Sequence, residues 1–183
     1  SHTPEYLSVV RSLSQGSQRT EYCPMQKMRL HSGEQGVDMA ITFTEEKCFH
    51  QGDVESLFLS VGWVSGQYPS RLYRALMNSS TVMTAWDGQL LIGLLRVLDD
   101  GDMLAYIHYV LVRPEYQGRG IAATMLNHIK EKYKNYLYIE VMPEEARNAP
   151  FYEKHGFIRM PDAVALQIVN RGENETDVIF SHH

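Results

Sequence analysis

The chain has 183 residues, enough for one domain with a single sizeable core, or one domain with an appendage. Hydrophobic residues make up 44% and charged residues 21%, the balance of an ordinary globular protein rather than of a disordered or membrane-spanning one. The 17 Lys and Arg against 22 Asp and Glu leave a net charge of −5. That disfavours bulk binding to nucleic acid or anionic membrane and mildly favours a cationic partner.

The longest apolar run, Leu90 to Leu95, is far short of a membrane span, and no signal-peptide pattern opens the chain. Cys23 and Cys48 make neither a disulfide framework nor a metal spacing, so a reducing, cytoplasmic setting is expected. Residues 1–38 read as an extension: Ser12 to Thr20 is nearly all Ser, Gln, Gly and Arg, with no structural period. A loosely docked arm is the plainer reading and a partner-binding arm the sharper one. The domain proper is expected over 39–170, with a tail over 171–183.

Ala40 to Thr44 reads as a first strand. Asp53 stands at the head of a helix carrying Val54, Leu57 and Phe58. Pro69 opens a second helix with Leu72, Leu76 and Met77 on one side. Val82–Trp86 and Leu90–Leu98 are β-rich runs joined by Asp87-Gly88, a strong hairpin signal. The acidic turn 99–102 leads into a third strand, Met103–Val112, closed by Pro114. Ala122, Met125, Leu126, Ile129 and Tyr133 keep helical spacing over 119–134. A buried strand, Leu137–Val141, and a short helix, Ala149–His155, ended by Gly156, follow. Phe157–Met160 and Val164–Val169 read as a last strand pair. The order predicts an α/β (α+β) fold: a mixed, mostly antiparallel sheet of about six or seven strands with helices on both faces.

The informative stretch joins the third strand to the long helix: Val112-Arg113-Pro114-Glu115-Tyr116-Gln117-Gly118-Arg119-Gly120-Ile121-Ala122. The first turn of a helix offers unpaired N–H groups and the positive end of its dipole. Glycines let an anion approach that backbone closely. Together they describe a pyrophosphate seat, although a purely structural turn has the same composition. A P-loop would need Lys and then Ser or Thr where Ile121 and Ala122 stand. A dinucleotide fingerprint fits better, with Ala123 in its third place and Glu140 20 residues after Gly120. The antiparallel meander and the single crossover argue against it.

At these residues the chain resembles the GNAT family of N-acetyltransferases. Gln117-Gly118-Arg119-Gly120-Ile121-Ala122 matches that family's Q/R-x-x-G-x-G/A signature. Downstream, Asn148-Ala149-Pro150-Phe151-Tyr152-Glu153-Lys154-His155-Gly156-Phe157 is similar to its second motif. The resemblance covers about 40–170. It implies acetyl-CoA as co-substrate, an amine as acceptor, and direct attack through a tetrahedral intermediate. It implies that Gln117, Gly118, Arg119, Gly120, Ile121 and Ala122 hold the pyrophosphate. Val110, Leu111 and Val112 would line the pantetheine arm, in a gap where their strand splays from Leu137–Val141. Asn148 would contact the cofactor, or else cap its helix. Tyr152 would be the general acid, or else a packed aromatic.

His108 resembles in position a histidine base of arylalkylamine N-acetyltransferases, and its unperturbed pKa of about 6.5 suits that role. Its plainer reading is a half-buried strand residue. Tyr106 stands near the place where other members carry a glutamate, which puts a direct carboxylate base in doubt; Glu140 is a further candidate. Trp63, Tyr68 and Tyr106 are expected to wall the acceptor pocket. Asp99, Asp100 and Asp102 read as solvated turn residues. No histidine has ligand spacing, so no metal is expected. A small amine is the first acceptor class; a protein or peptide amine, or a non-catalytic acyl-CoA-binding module, are the alternatives. A dinucleotide oxidoreductase is a distant fourth. A homodimer is frequent among proteins of this kind.

Overall fold

A computed structural model describes residues 41–170. The expectations for the extension 1–38, for Ala40, and for the tail after Asn170 lie outside the described residues. Five strands form one sheet in the order β1 to β5. They are β1 (Thr42–Thr44), β2 (Thr81–Asp87), β3 (Leu90–Asp99), β4 (Leu104–Val112) and β5 (Tyr138–Val141). Neighbours are antiparallel except β4 and β5. The helices are α1 (Gln51–Ser60), α2 (Pro69–Met77), α3 (Ile121–Lys132) and α4 (Ala149–Lys154).

Local chemistry accounts for the element boundaries. The helix α1 starts after His50, whose backbone N–H donates to the Asp53 carboxylate at 2.7 Å. Asp53 therefore serves from inside the first turn rather than at its head. Pro69 opens α2, where its missing N–H costs nothing. The Asp100 carboxylate accepts from the amides of Asp102, Met103 and Leu104 at 3.0, 2.8 and 3.0 Å, closing the β3–β4 turn. Asp99 accepts from the hydroxyls of Tyr133 and Tyr136. These two carboxylates are thus structural rather than simply solvated.

The sheet carries a core on each face. Val54, Leu57 and Phe58 of α1 and Leu72 and Leu76 of α2 cover Val82, Trp86, Leu91, Leu94 and Leu111. Ile121, Met125, Leu126 and Ile129 of α3, with Tyr152 of α4, cover Met83, Ala85, Ile92, Leu95, Val97, Ala105, Ile107 and Val112. Two irregularities break strict alternation. One lies in the β2–β3 ladder at Ala85/Trp86. In the other, Arg96 faces Tyr109 and Val97 faces Ile107, so His108 is an extra residue on β4. Such a bulge re-aims side chains.

The sheet has fewer strands than the six or seven expected. Segments 157–160 and 164–169 are not strands; Phe157 packs against the α3-side core, but the apolar side chains beyond it face solvent, with Ile158 and Leu166 each 91% exposed. Alternation marks which side chains call for burial; it does not supply a ladder partner, and the far edge of β5 takes none among the described residues. No helix among the described residues is long and apolar enough to cross a membrane.

Candidate active site

The site begins where β4 and β5 part. Their parallel ladder runs from Leu104/Tyr138 to Ile107/Val141 and stops, while β4 continues paired to β3 as far as Val112. From Tyr109 onward β4 therefore has one open edge. The Arg113 N–H donates to the Ile92 C=O at 2.8 Å. By antiparallel alternation Leu111 also turns its N–H toward β3, and Val110 and Val112 turn theirs toward the gap. The Val112 C=O accepts from the Gln117 side-chain amide at 3.0 Å.

Past β4 the chain makes a short turn over Pro114–Tyr116 and enters α3 through two left-handed glycines, Gly118 (φ 79°) and Gly120 (φ 78°). Glycine adopts this backbone without a Cβ penalty. A Cβ at either position would meet nothing within 4 Å, so open space lies beside this stretch of backbone. Thr124 is the first residue of α3 whose N–H finds an intrahelical acceptor, the Gly120 C=O at 2.9 Å. The amides of Gly118 through Ala123 lack a protein acceptor among the described residues. Arg119 folds back over the Tyr116 ring, 4.9 Å from its centroid, and donates to the Glu115 C=O. The Tyr116 hydroxyl is anchored on Asp87 at 2.7 Å. The anion-competent surface is thus the main chain of the loop, held from below by side chains.

The helix α4 brings Tyr152 against the same core as Val112 and Ile121. Its ring packs edge-on between Phe151 and Phe157, with centroids at 5.1 and 5.7 Å. Its hydroxyl has no hydrogen-bond partner among the described residues, and burial pushes its pKa up to about 12. Asn148 holds the N-cap position of α4 but makes no side-chain capping bond, so capping does not account for it.

The other face of β4 is aromatic. The bulge sets the His108 and Tyr109 rings side by side, 4.1 Å between centroids, with Tyr106 6.2 Å from His108. Trp63 closes on Tyr109 at 5.7 Å, and Ser65 hydrogen-bonds the Tyr109 hydroxyl at 2.9 Å. The α1–α2 connection can lie this close because a Cβ on Gly66 would sit 3.0 Å from the Leu59 amide nitrogen. Tyr68 is not part of this stack; it lies under Arg71, 5.7 Å from its guanidinium. Glu140 is the register mate of Tyr106 and so shares its face.

Sequence reasoning missed Arg96. It reaches the same face from β3, 5.4 Å above the Tyr109 ring, and donates to His108 Nδ1 at 2.8 Å and to Ser79 Oγ at 2.7 Å. Its signal was visible: a lone cation in the apolar run LLIGLLRVLD. Partial burial, and then the Arg96 charge, hold the His108 pKa below its usual value. The ring is therefore neutral at pH 7, and accepting at Nδ1 leaves its proton on Nε2.

Relatives bear on this geometry. Residues 40–157 match the family described as Acetyltransferase (GNAT) family. The uncharacterized N-acetyltransferase ycf52 of Pyropia yezoensis is 27% identical over 129 residues, covering 68% of this chain and 74% of that protein. Its counterpart in Porphyra purpurea is 29% identical over 117 residues, covering 61% and 67%. Among solved structures, a GNAT-family acetyltransferase from Streptococcus pneumoniae TIGR4 superposes with a TM-score of 0.62 at 27% identity, covering 72% of this chain and 99% of its own. A probable acetyltransferase from Staphylococcus aureus, at 24% identity, shares the fold with a TM-score of 0.65 over 71% of this chain and 99% of its own. With the parted strands, the glycine-led helix and the family match in agreement, the chain belongs to the GNAT family of acetyltransferases.

Proposed function

We propose that the protein transfers an acetyl group from acetyl-CoA to a primary amine of a small molecule. The observation that carries this reading is the parting of β4 from β5 directly beside a helix start whose amides are unpaired. The open loop surface fits a diphosphate, because Gly118 through Ala123 present N–H groups with no protein acceptor and no Cβ at the two glycines stands in the way. Acetyl-CoA supplies the acyl group as a thioester.

The chain's own residues then divide the work. Amides of Gly118 to Ala122 bind the diphosphate, with the Arg119 side chain at the rim, while the Gln117 N–H is taken by the Pro114 C=O and its side chain by the Val112 C=O. Val110 and Val112 lend main-chain groups to the pantetheine amides, as an added strand would. An N–H flanking Leu111 donates to the carbonyl oxygen as charge develops there. Asn148 contacts the cofactor from the start of α4. Tyr152, kept protonated by its burial, gives a proton to the departing sulfur. His108, neutral at working pH, takes one from the ammonium of the acceptor. Trp63, Tyr106 and Tyr109 offer faces on which an organic cation can rest.

Calorimetric titration with CoA, paired with thiol release over a panel of amines, tests the reading. CoA binding with turnover of at least one small amine supports it. Turnover of peptide amines alone moves the acceptor class, and CoA binding with no turnover leaves a binding module. The net charge of −5 supports a protein that binds neither nucleic acid nor membrane. The exposed apolar side chains over 158–169 support a homodimer, since solvent-facing apolar runs in a folded protein mark contact surfaces.

A further inference from the structure

Among the described residues Arg96 is a cation without a counter-ion. Its neighbours in β3 split between the two cores, Leu94 facing α1 and α2, and Leu95 and Val97 facing α3. Arg96 lies on the α1–α2 face, half-buried, beside the aromatic wall of the acceptor pocket. Of the five N–H groups of a guanidinium, one meets Ser79 Oγ and one meets His108 Nδ1. No carboxylate among the described residues pairs with it. Asp99, three residues on, is held by Tyr133 and Tyr136. The acids that form ion pairs take His50, His128, Lys132, Lys134, Arg147 and Arg159 instead.

Arg113 also lacks a carboxylate among the described residues, but it is closed in between the Leu91 C=O and Ser56 of α1. Arg96 instead stands at the pocket, next to the ring read as the base. A partly desolvated charge left unpaired costs free energy, and its three unused N–H groups suit a carboxylate or phosphate, each of which can offer two oxygens to the planar fork.

We propose, on the acetyl-transfer reading above, that the acceptor carries an anionic group, carboxylate or phosphate, beside its amine, and that Arg96 binds it. The same contact releases the base. In the free protein the Nδ1 lone pair of His108 is occupied by Arg96 and Nε2 bears the proton, so neither nitrogen can accept. When the guanidinium turns to the anion of the acceptor, Nδ1 becomes free. In the transfer a C–N bond forms and the thioester C–S bond breaks. Of the two protons the ammonium loses, one passes to His108 Nδ1 and on to solvent. The other leaves the amide nitrogen to solvent while Tyr152 protonates the sulfur, and Tyr152 then regains a proton from water. The balance is one proton released per turnover. An amine without an anion leaves Arg96 on His108 and is a poor acceptor.

The test uses the full chain with acetyl-CoA and matched amines: β-alanine with β-alaninamide, and O-phosphoethanolamine with ethanolamine. The expected result is a kcat/KM about tenfold or more higher for the anionic member of at least one pair. The pair that responds separates carboxylate from phosphate. In Arg96→Met that ratio falls toward one with CoA affinity unchanged, and Arg96→Lys keeps part of it. Equal turnover of both members of each pair by the wild type, or an undiminished preference in Arg96→Met, overturns the proposal.

Calorimetry of the same amines against the CoA-loaded protein separates the two claims. Anionic amines that bind wild type but not Arg96→Met, with no turnover, leave the anion site standing and remove the acetyl-transfer reading. Turnover of neutral amines alone does the reverse. Should Arg96→Met not fold, Arg96→Lys and Arg96→Gln provide the same comparison.

Discussion

The two faces of β4 are built from different materials. On the α3 side, anion-binding capacity comes from main-chain amides at a helix start, and side chains mostly hold the loop in place. On the α1–α2 side the surface is made of side chains brought from far apart: Trp63 and Ser65 from one connection, Arg96 from β3, His108 and Tyr109 from β4. Backbone chemistry can be reused with any acceptor, whereas side-chain chemistry selects one. On the function proposed above, the shared half of the reaction falls to the glycine loop and the particular half to the aromatic face.

The most forceful way to break the α3 half is to place a negative charge on the loop. Gly120→Asp and Gly120→Asn carry side chains of similar size into the same left-handed backbone, and both residue types tolerate it better than most. The aspartate variant is expected to bind CoA about a hundredfold more weakly than the asparagine variant, by calorimetry, from like-charge repulsion at the helix start. Equal affinities would remove the diphosphate from this seat.

Next in size is Tyr152→Phe, which removes a proton donor and keeps the packing between Phe151 and Phe157. Its kcat is expected to fall by about tenfold to a hundredfold with CoA affinity intact. An unaltered kcat would make Tyr152 a packing residue.

A control for both halves lies at the end of α3. Tyr133, 3% exposed, shares hydrogen bonds with Thr81 at 2.7 Å and Asp99 at 2.7 Å. Tyr133→Phe is expected to lose about 1–2 kcal/mol of stability, read as a lower thermal midpoint, while CoA affinity and the amine preference hold.

The finest effect is on pH dependence. Since burial and Arg96 hold the His108 pKa below about 6.5, kcat/KM is expected to rise with pH through a midpoint under that value and to be level above it. Removing the positive neighbour in Arg96→Met moves the midpoint upward. The same shift has a stability consequence. The unfolded chain takes up this proton more readily, so the folded state loses stability as pH falls below about 6.5.

What could be read from the sequence follows the same division. Hairpin turns, helix starts and the glycine loop are local: Asp87-Gly88, Pro69 and Gly118 through Gly120 each fix their backbone within a few residues. The α3 half was therefore legible in outline, and the resemblance supplied the ligand proposed for it. The aromatic wall was legible in part, because Tyr106 and His108 share a strand, but Tyr68 was assigned to it by proximity in sequence alone. Arg96 escaped because its meaning depends on a bulge one strand away, and no spacing within β3 reveals that. The expected last strands failed for a related reason. The apolar residues Ile158, Met160, Val164, Leu166 and Ile168 alternate within each of the two short segments, but pairing is a property of two segments, and neither finds a ladder partner among the described residues.

The extra residue at position 108 has one further consequence. Because Arg96 stays opposite Tyr109 and Val97 opposite Ile107 whether or not a residue lies between them, the ladder has no need of His108. A one-codon deletion there would leave every flanking pair in register while stripping out a single imidazole. The imidazole at this point is an insertion the architecture can shed, so the fold can outlive the loss of the ring proposed as the base.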